Sequence, residues 1–369
     1  MNVHFIGPLR EQVGLSQTEL GDRVGVTRQT IAIWEKGERL PNLGQIGRIA
    51  EALRVSTEVF LIAPEQQGPT LLFRADEASA LTPALRVHIQ QRVQDYAELE
   101  HDLGETPALP PSYPLDDFEP SKIERIATQV RDFLGVENAP LGDVISLLED
   151  KGFKLILTDL PKSVSGFSAY TEVWGGIIVI NSLHAVERQY FTALHELGHL
   201  ICHRRDYSGE ENRAARDPRE KTANLLASAV LLSREVMERE LRGYQHTWIP
   251  GPVLANLKVR YSVSMATVVM RAKDLGMISA KQAGQQLGML KKLHDSNGQE
   301  PVKIKRQSSS FDNVQAFPIP CDRLERLVYE AASKHLITRS RAAEILGKSI
   351  PAIRSNLRDW QKGQAEAKD

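Results

Sequence analysis

The sequence predicts a multidomain, mostly α-helical protein with an α+β domain in its middle. Three observations carry that expectation. The chain has 369 residues, enough for two or three domains. Apolar residues recur at helical spacing in stretches near both ends and in the centre. Strand-like segments, at 153–157, 166–170 and 176–181, cluster in the central region only.

Composition narrows the function classes. With 41% hydrophobic and 25% charged residues and a net charge of −1, the chain reads as a soluble globular protein. No apolar run approaches the length of a membrane span, and the N-terminus lacks a charged-then-apolar leader. The two cysteines, Cys202 and Cys321, lie far apart, which argues against a disulfide framework and for a reducing cytoplasm. A neutral balance requires any DNA contact to come from a local patch.

Residues 9–61 read as five short helices. Ser16 with Glu19 forms a capping box opening a helix over 17–24. Gly25-Val26 makes a tight turn, Thr27 caps a helix over 28–35, and Gly37 follows its end. Pro41 opens a helix over 42–54, with Leu43, Ile46, Ile49, Ala50 and Leu53 at core spacing. Two short helices joined by a glycine turn, the second polar on its first turn, form the geometry that enters a major groove.

The run from Leu15-Ser16-Gln17 through Val24-Gly25-Val26-Thr27-Arg28-Gln29 to Trp34-Glu35-Lys36-Gly37 and Pro41 resembles the XRE (phage repressor and Cro-like) helix-turn-helix family. The resemblance implies an all-α, five-helix, lambda-repressor-like DNA-binding domain over 1–65. By it, the residue at Gln17 meets phosphates, while Thr27, Arg28, Gln29 and Ile33 lie at the recognition helix, the last three facing base edges. Arg and Gln are the side chains able to make paired hydrogen bonds to guanine and adenine. Lys36 and Arg39 are placed for phosphates. Residues 1–65 hold seven Lys/Arg against eight Asp/Glu, so a protein-binding helical bundle stands as the alternative. One such domain binds weakly, and useful affinity would take a homodimer on a two-fold operator in double-stranded DNA.

Residues 66–120 read as a connector. A helix over 83–103 carries Leu85, Ile89, Val93, Tyr96 and Leu99 near helical spacing, to pack on the next domain or to pair two subunits. Five prolines within 104–120 then make an extended, stiff stretch and the best domain boundary.

From 121 to about 295 the pattern changes. Ser121 and Glu124 suggest a capping box for a helix to 134, and a second helix runs over about 141–150. The apolar strand 176–181 leads into a helix bearing His195-Glu196-Leu197-Gly198-His199. Residues four apart on a helix point the same way and lie about 6 Å apart along its axis. His195 and His199 can therefore turn imidazole nitrogens toward one Zn²⁺, with Glu196 beside them to act on its water. The strand ahead of the motif is expected at the sheet edge, where a peptide substrate could add as a further strand.

A catalytic zinc needs a third protein ligand and one open position. His203 continues the spacing of four but lies about 12 Å from His195 along the helix, too far to share a metal. It reads as a supporting histidine. The next helix, opened by Asp217 as cap and Pro218, places Glu220 and Asn224 on one face. Glu220 can supply the carboxylate, and Asn224 can hold an imidazole N–H from behind. Glu210 and Glu211, in a polar loop, rank second.

The strand at 176–181, the run Glu187–Leu200 and the pattern Glu220-x-x-Ala223-Asn224-x-x-Ala227 resemble the ImmA/IrrE family of metallo-endopeptidases. The resemblance implies a zincin-like (gluzincin) fold, ligands His195, His199 and Glu220, Glu196 as catalytic base, and a repressor-type protein as substrate. One departure is Ser233, which follows Leu231-Leu232 where the family often has proline soon after the pair.

Beyond 296 a polar linker leads to a helical C-terminal domain. Residues 340–357 read as helix, glycine turn and helix, like a small second helix-turn-helix. From 300 onward there are thirteen Lys/Arg against nine Asp/Glu, so this part could touch DNA, recognise the substrate or dimerise. The expected function is a transcriptional regulator with a zinc endopeptidase, acting in stress, prophage or mobile-element control. The competing class is a non-enzymatic transcription factor or antitoxin whose peptidase fold senses a partner.

Overall fold

The computed structural model describes residues 3, 6–53, 55, 57, 60, 81–106, 108–204, 216–297, 300, 302–304 and 322–366. The chain forms two compact units. One comprises residues 1–71, 75–107 and 315–369; the other comprises 72–74 and 108–314.

In the first unit, α1 (Ile6–Gln12), α2 (Gln17–Val24), α3 (Arg28–Glu35) and α4 (Leu43–Leu53) surround a core of Leu20, Ile31, Trp34, Ile46 and Ile49. The local chemistry that fixes their ends is visible. Ser16 and Glu19 exchange hydrogen bonds as a capping box, and Thr27 Oγ1 accepts from Thr30 N at 3.2 Å. Helix α4 starts at Leu43, one residue later than expected, because Asn42 and Gln45 cap each other reciprocally. The fifth helix expected before Leu61 falls largely outside the described residues, although Phe60 is buried in this core.

Helix α5 (Pro83–Leu103) packs on α1 and, further along, on the C-terminal helices α14 (Arg323–Ser333), α15 (Arg339–Leu346) and α16 (Ile350–Glu366). Tyr96 and Leu99 of α5 sit in one core with Leu327, Val328, Ile345 and Ile353. Charges inside this bundle are paired: Arg323 donates to Glu100 at 2.6 Å and Arg341 to Asp95 at 2.9 Å.

The second unit holds α6 (Pro120–Leu134), α7 (Val144–Asp150), β1 (Lys154–Thr158), β2 (Gly166–Thr171) and β3 (Gly175–Asn181). It continues with α8 (Val186–Cys202), α9 (Arg216–Leu231), α10 (Arg234–Glu240), α11 (Gly251–Tyr261), α12 (Met265–Asp274) and α13 (Ala280–Asn297). Strand order is β1-β3-β2, with β1 and β3 parallel and β2 antiparallel to β3. This corrects the expectation that the strand before the motif is an edge. β3 is central, because its continuous apolar run is buried on both faces and suits only an inner position. The edge beside α8 is β2.

Helix α8 lies across β2 and β3 and along α9, which in turn packs on α6. Ahead of α6, the proline-rich stretch straps the end of the motif helix: Tyr113 N and Leu115 N donate to the Ile201 and Cys202 carbonyls. Among the described residues Cys202 is a free thiol, and burial pushes its pKa up to about 12, which leaves it unreactive.

Three helix starts in this unit also differ from expectation. α7 begins at Val144, since Asp143 Oδ1 accepts from Ile145 N and Ser146 N. Asp217 is already helical in α9 and is not its cap; proline is tolerated throughout a first turn, where N–H groups have no helical partner. α6 begins at Pro120 with Glu119 as an N-cap whose side chain caps no backbone N–H and instead accepts from Lys122 Nζ at 2.6 Å. The Ser121–Glu124 box is not made. Glu124 instead accepts from both terminal nitrogens of the buried Arg271, at 2.5 and 2.8 Å. A guanidinium removed from water gains more from a carboxylate than one backbone N–H does. Glu124→Ala strands that guanidinium and should cost roughly 3–5 kcal/mol of stability. Chemical denaturation checks this, and a loss under about 1 kcal/mol would reject the pairing as structurally important.

Ser233, the departure noted after Leu231-Leu232, caps α10 by accepting from Val236 N at 3.3 Å.

Candidate metal centre

His195, Glu196 and His199 stand on the middle of α8, and Glu220 and Asn224 on the facing side of α9. The helices meet closely at Gly198, whose absent Cβ would lie 3.2 Å from the Ala223 Cα. A side chain there would wedge the helices apart and withdraw Glu220 from the histidines.

The ligating atoms converge. His195 Nε2 and His199 Nε2 are 3.1 Å apart. Glu220 Oε2 lies 3.3 Å from His195 Nε2, and Oε1 lies 3.5 Å from His199 Nε2. One donor atom from each residue falls within 4.8 Å of the others, the one such grouping of three among the described residues.

Each imidazole is held from its other nitrogen. Asn224 Oδ1 is 3.0 Å from His195 Nδ1, so a proton on Nδ1 leaves Nε2 with its lone pair toward Glu220. His199 Nδ1 meets His203 Nδ1 at 2.9 Å. His203 is the last-turn cap of α8 and points away from the converging atoms, on the far side of the His199 ring. Burial disfavours the charged form of His195, but the Glu220 hydrogen bond and the Glu196 and Glu220 charges outweigh it and hold its pKa above the ordinary value. Proton and divalent cation therefore compete for one nitrogen.

Glu196 is 2% exposed, with Oε1 4.0 Å from His195 Nε2. Its Oε2 accepts from Ser168 Oγ of β2 at 2.6 Å. Sequence reasoning missed Ser168. Its one signal was a serine between Phe167 and Ala169 in a buried strand, and the link spans 28 residues. Sequence reasoning also missed Phe191, one turn before His195, whose ring lies 6.4 Å from that imidazole. Phe191 and Asn224 are among the residues lining a cavity of about 940 Å³ between α6, α9 and α12. Glu210 and Glu211 lie outside the described residues.

On α3 and the turn after it, Arg28, Gln29, Lys36 and Arg39 are exposed, as is Ile33 at 37%. Thr27 is exposed with its hydroxyl spent on the cap. Gln17 is bonded within the fold: its Nε2 donates to Glu35 Oε2 at 2.7 Å, and its Oε1 accepts from Arg28 Nε at 3.4 Å.

Residues 9–60 match the helix-turn-helix family, and residues 148–273 match the IrrE N-terminal-like domain, peptidase family M78. The HTH-type transcriptional regulator YgzD of Bacillus subtilis is 45% identical over 58 residues, 15% of this chain and 88% of its own length. The chain belongs to the helix-turn-helix transcriptional regulators. A regulator of Mycobacterium tuberculosis is 31% identical over 111 residues, 30% of this chain and 79% of its own. One from Methanothermobacter thermautotrophicus is 57% identical over 44 residues, which span 64% of that relative and 12% of this chain. These relatives match short parts of the regulator, and the M78 match covers its central region.

The M78 match suggests a metallopeptidase, and the donor set fits a metal. Tetrahedral ligands about 2.0–2.1 Å from a zinc ion stand roughly 3.3 Å from one another. The two imidazole nitrogens are 3.1 Å apart, and each has one of the two Glu220 carboxylate oxygens at 3.3 or 3.5 Å, so the regulator's donors lie near that value. Two imidazole nitrogens and one carboxylate also suit a catalytic zinc site, which keeps a fourth position open. Among the described residues no helix is long and apolar enough to cross a membrane.

Proposed function

We propose that the regulator binds operator DNA through residues 1–65 and is a zinc-dependent endopeptidase through residues 121–295, cutting a repressor-type protein in stress, prophage or mobile-element control. The observation that carries the catalytic half is the convergence of His195 Nε2, His199 Nε2 and the Glu220 carboxylate beside Glu196.

His195, His199 and Glu220 would hold the ion, with Asn224 and His203 fixing the two imidazoles. A bound zinc supplies a water of near-neutral pKa and a Lewis acid for the peptide carbonyl. Glu196 is the general base: Oε1, on the side of His195, takes the proton and returns it to the leaving amine. Ser168 keeps Oε2 occupied, so one oxygen of Glu196 does this work. The cavity that Phe191 and Asn224 help to line gives a substrate chain room next to two residues that contact His195. β2, which carries Ser168, is an outer strand of the sheet among the described residues, and an extended peptide can add beside it as a further strand.

On the DNA side, Arg28→Ala should cost about 1–3 kcal/mol of specific binding and relax preference at one base position. Binding of operator duplexes selected from a random pool, each with single-base changes, checks this. Equal loss on every sequence would make Arg28 a phosphate contact.

The catalytic reading is tested in cells carrying either the unaltered regulator or Glu196→Gln. A repressor-type protein cleaved in the first and intact in the second is the expected result. Identical protein fragments in both, under inducing conditions, would leave a sensor with no hydrolytic role.

A further inference from the structure

The C-terminal bundle repeats the backbone plan of the N-terminal helix-turn-helix position for position. In the first, Ser16 caps the eight-residue α2, Gly25 ends it with φ 77°, and Thr27 caps α3 from Arg28 onward. In the second, Thr338 caps the eight-residue α15, and Gly347 ends it with φ 60°. Ser349 then caps α16 from Ile350 onward, accepting from Ala352 N at 3.4 Å. Cap, glycine, cap and helix start fall at the same spacing in both: 16, 25, 27 and 28 against 338, 347, 349 and 350.

The correspondence reaches the hydrogen bonds and the core. Val26 N donates to Gly21 O at 2.9 Å, and Lys348 N donates to Ala343 O, its counterpart, at 3.0 Å. Leu20 and Ala342 are both fully buried, as are Ile31 and Ile353. Two helices joined around a left-handed glycine, with the second helix's outer face exposed, can be laid in a duplex groove.

The outer surfaces differ in kind. Where α3 presents Arg28 and Gln29, α16 presents Ile350 and Pro351, both exposed and unable to bond base edges through their side chains. One turn on, Arg354 and Arg358 stand exposed on a shared face. Among the described residues Arg358 bonds the Arg354 carbonyl of its own helix, and neither guanidinium has an ion pair. Isolated cations on this scaffold suit phosphate, which positions a protein on DNA without reading sequence.

We propose that α16 is a second DNA-contacting element, gripping the phosphate backbone of duplex DNA through Arg354 and Arg358 while α3 reads bases. The proposal builds on the reading of residues 1–65 as a DNA-binding domain. Helix α5 joins the two elements within one compact unit, packing on α1 and on α14, with Arg92 Nη1 donating to Ile345 O at 2.6 Å. On this proposal one chain contacts duplex DNA through two elements of one compact unit.

The test uses the full chain, a random-sequence duplex of about three helical turns and fluorescence anisotropy across a salt series starting near 50 mM. Arg354→Ala with Arg358→Ala should reduce the slope of log affinity against log salt by about 1.8, two phosphate contacts at roughly 0.9 each. Lys36→Ala with Arg39→Ala, altered in parallel, should reduce it by a similar amount. Both pairs are exposed, and unchanged thermal melting by circular dichroism verifies the fold. A slope lowered by the N-terminal pair but not by the C-terminal pair overturns the proposal and leaves the N-terminal reading standing. A slope lowered by the C-terminal pair alone supports α16 and removes phosphate contact from Lys36 and Arg39. No binding by the unaltered chain near 50 mM salt defeats both.

Discussion

Glu196→Gln should eliminate proteolysis while leaving zinc and DNA binding intact. The amide keeps the size of the carboxylate and still accepts from Ser168, which donates to Oε2 at 2.6 Å. It cannot take a proton. Loss of a positioned general base costs about 10²- to 10⁴-fold in rate, equivalent to roughly 3–5 kcal/mol of transition-state stabilisation. Purified protein and the cellular target provide the rate, and elemental analysis provides the zinc content. A variant that cuts at a rate within about threefold of the parent would reject Glu196 as the base.

His199→Ala should remove the metal and, with it, all cleavage. His199 is wholly buried, and its two ring nitrogens are both committed, Nε2 toward His195 and Glu220 and Nδ1 toward His203. An alanine leaves two donors, one of them the half-buried Glu220, too few to hold zinc against water. Asn224→Ala sets the comparison. It leaves all three donors and loosens only the His195 ring, so zinc affinity should fall by about 10- to 100-fold. Competition with a chromogenic chelator ranks the series. The predicted order is parent, then Asn224→Ala, then His199→Ala with no measurable site. Equal affinity in parent and His199→Ala would place the metal elsewhere. DNA binding should survive in both variants, because the helix-turn-helix elements belong to the other compact unit.

Much of the site was legible because its chemistry is local. His195 and His199 share a face of one helix by spacing alone, and Glu220 and Asn224 do the same on the next. The caps at Ser16 and Thr27 were equally readable, since each bond closes within three residues. The mostly helical fold, with its small central sheet between helix-turn-helix and C-terminal helices, was expected and found.

What the sequence hid is of another kind. Ser168 reaches Glu196 only once β2, rather than β3, lies at the sheet edge, and strand order is a property of pairing. Glu124 looked like a capping partner because Ser121 is three residues away. Its real partner, Arg271, is 147 residues distant. The apolar face of α5 would serve a dimer, the central domain or the C-terminal helices equally well, and nothing in its own residues selects the last. The helix, glycine turn and helix of 340–357 were readable, but their residue-for-residue match to 16–28 was not, because Gly21 is replaced by Ala343 while the backbone plan is kept.

The convergence of two imidazoles and one carboxylate on a single cation is tested most directly by zinc X-ray absorption on the purified chain. The expected spectrum is one zinc per chain with two imidazole nitrogens and two oxygens, all at about 2.0–2.2 Å, with one oxygen changed in Glu220→Ala. A sulfur neighbour, a single imidazole, or a shell indifferent to Glu220→Ala would contradict the site.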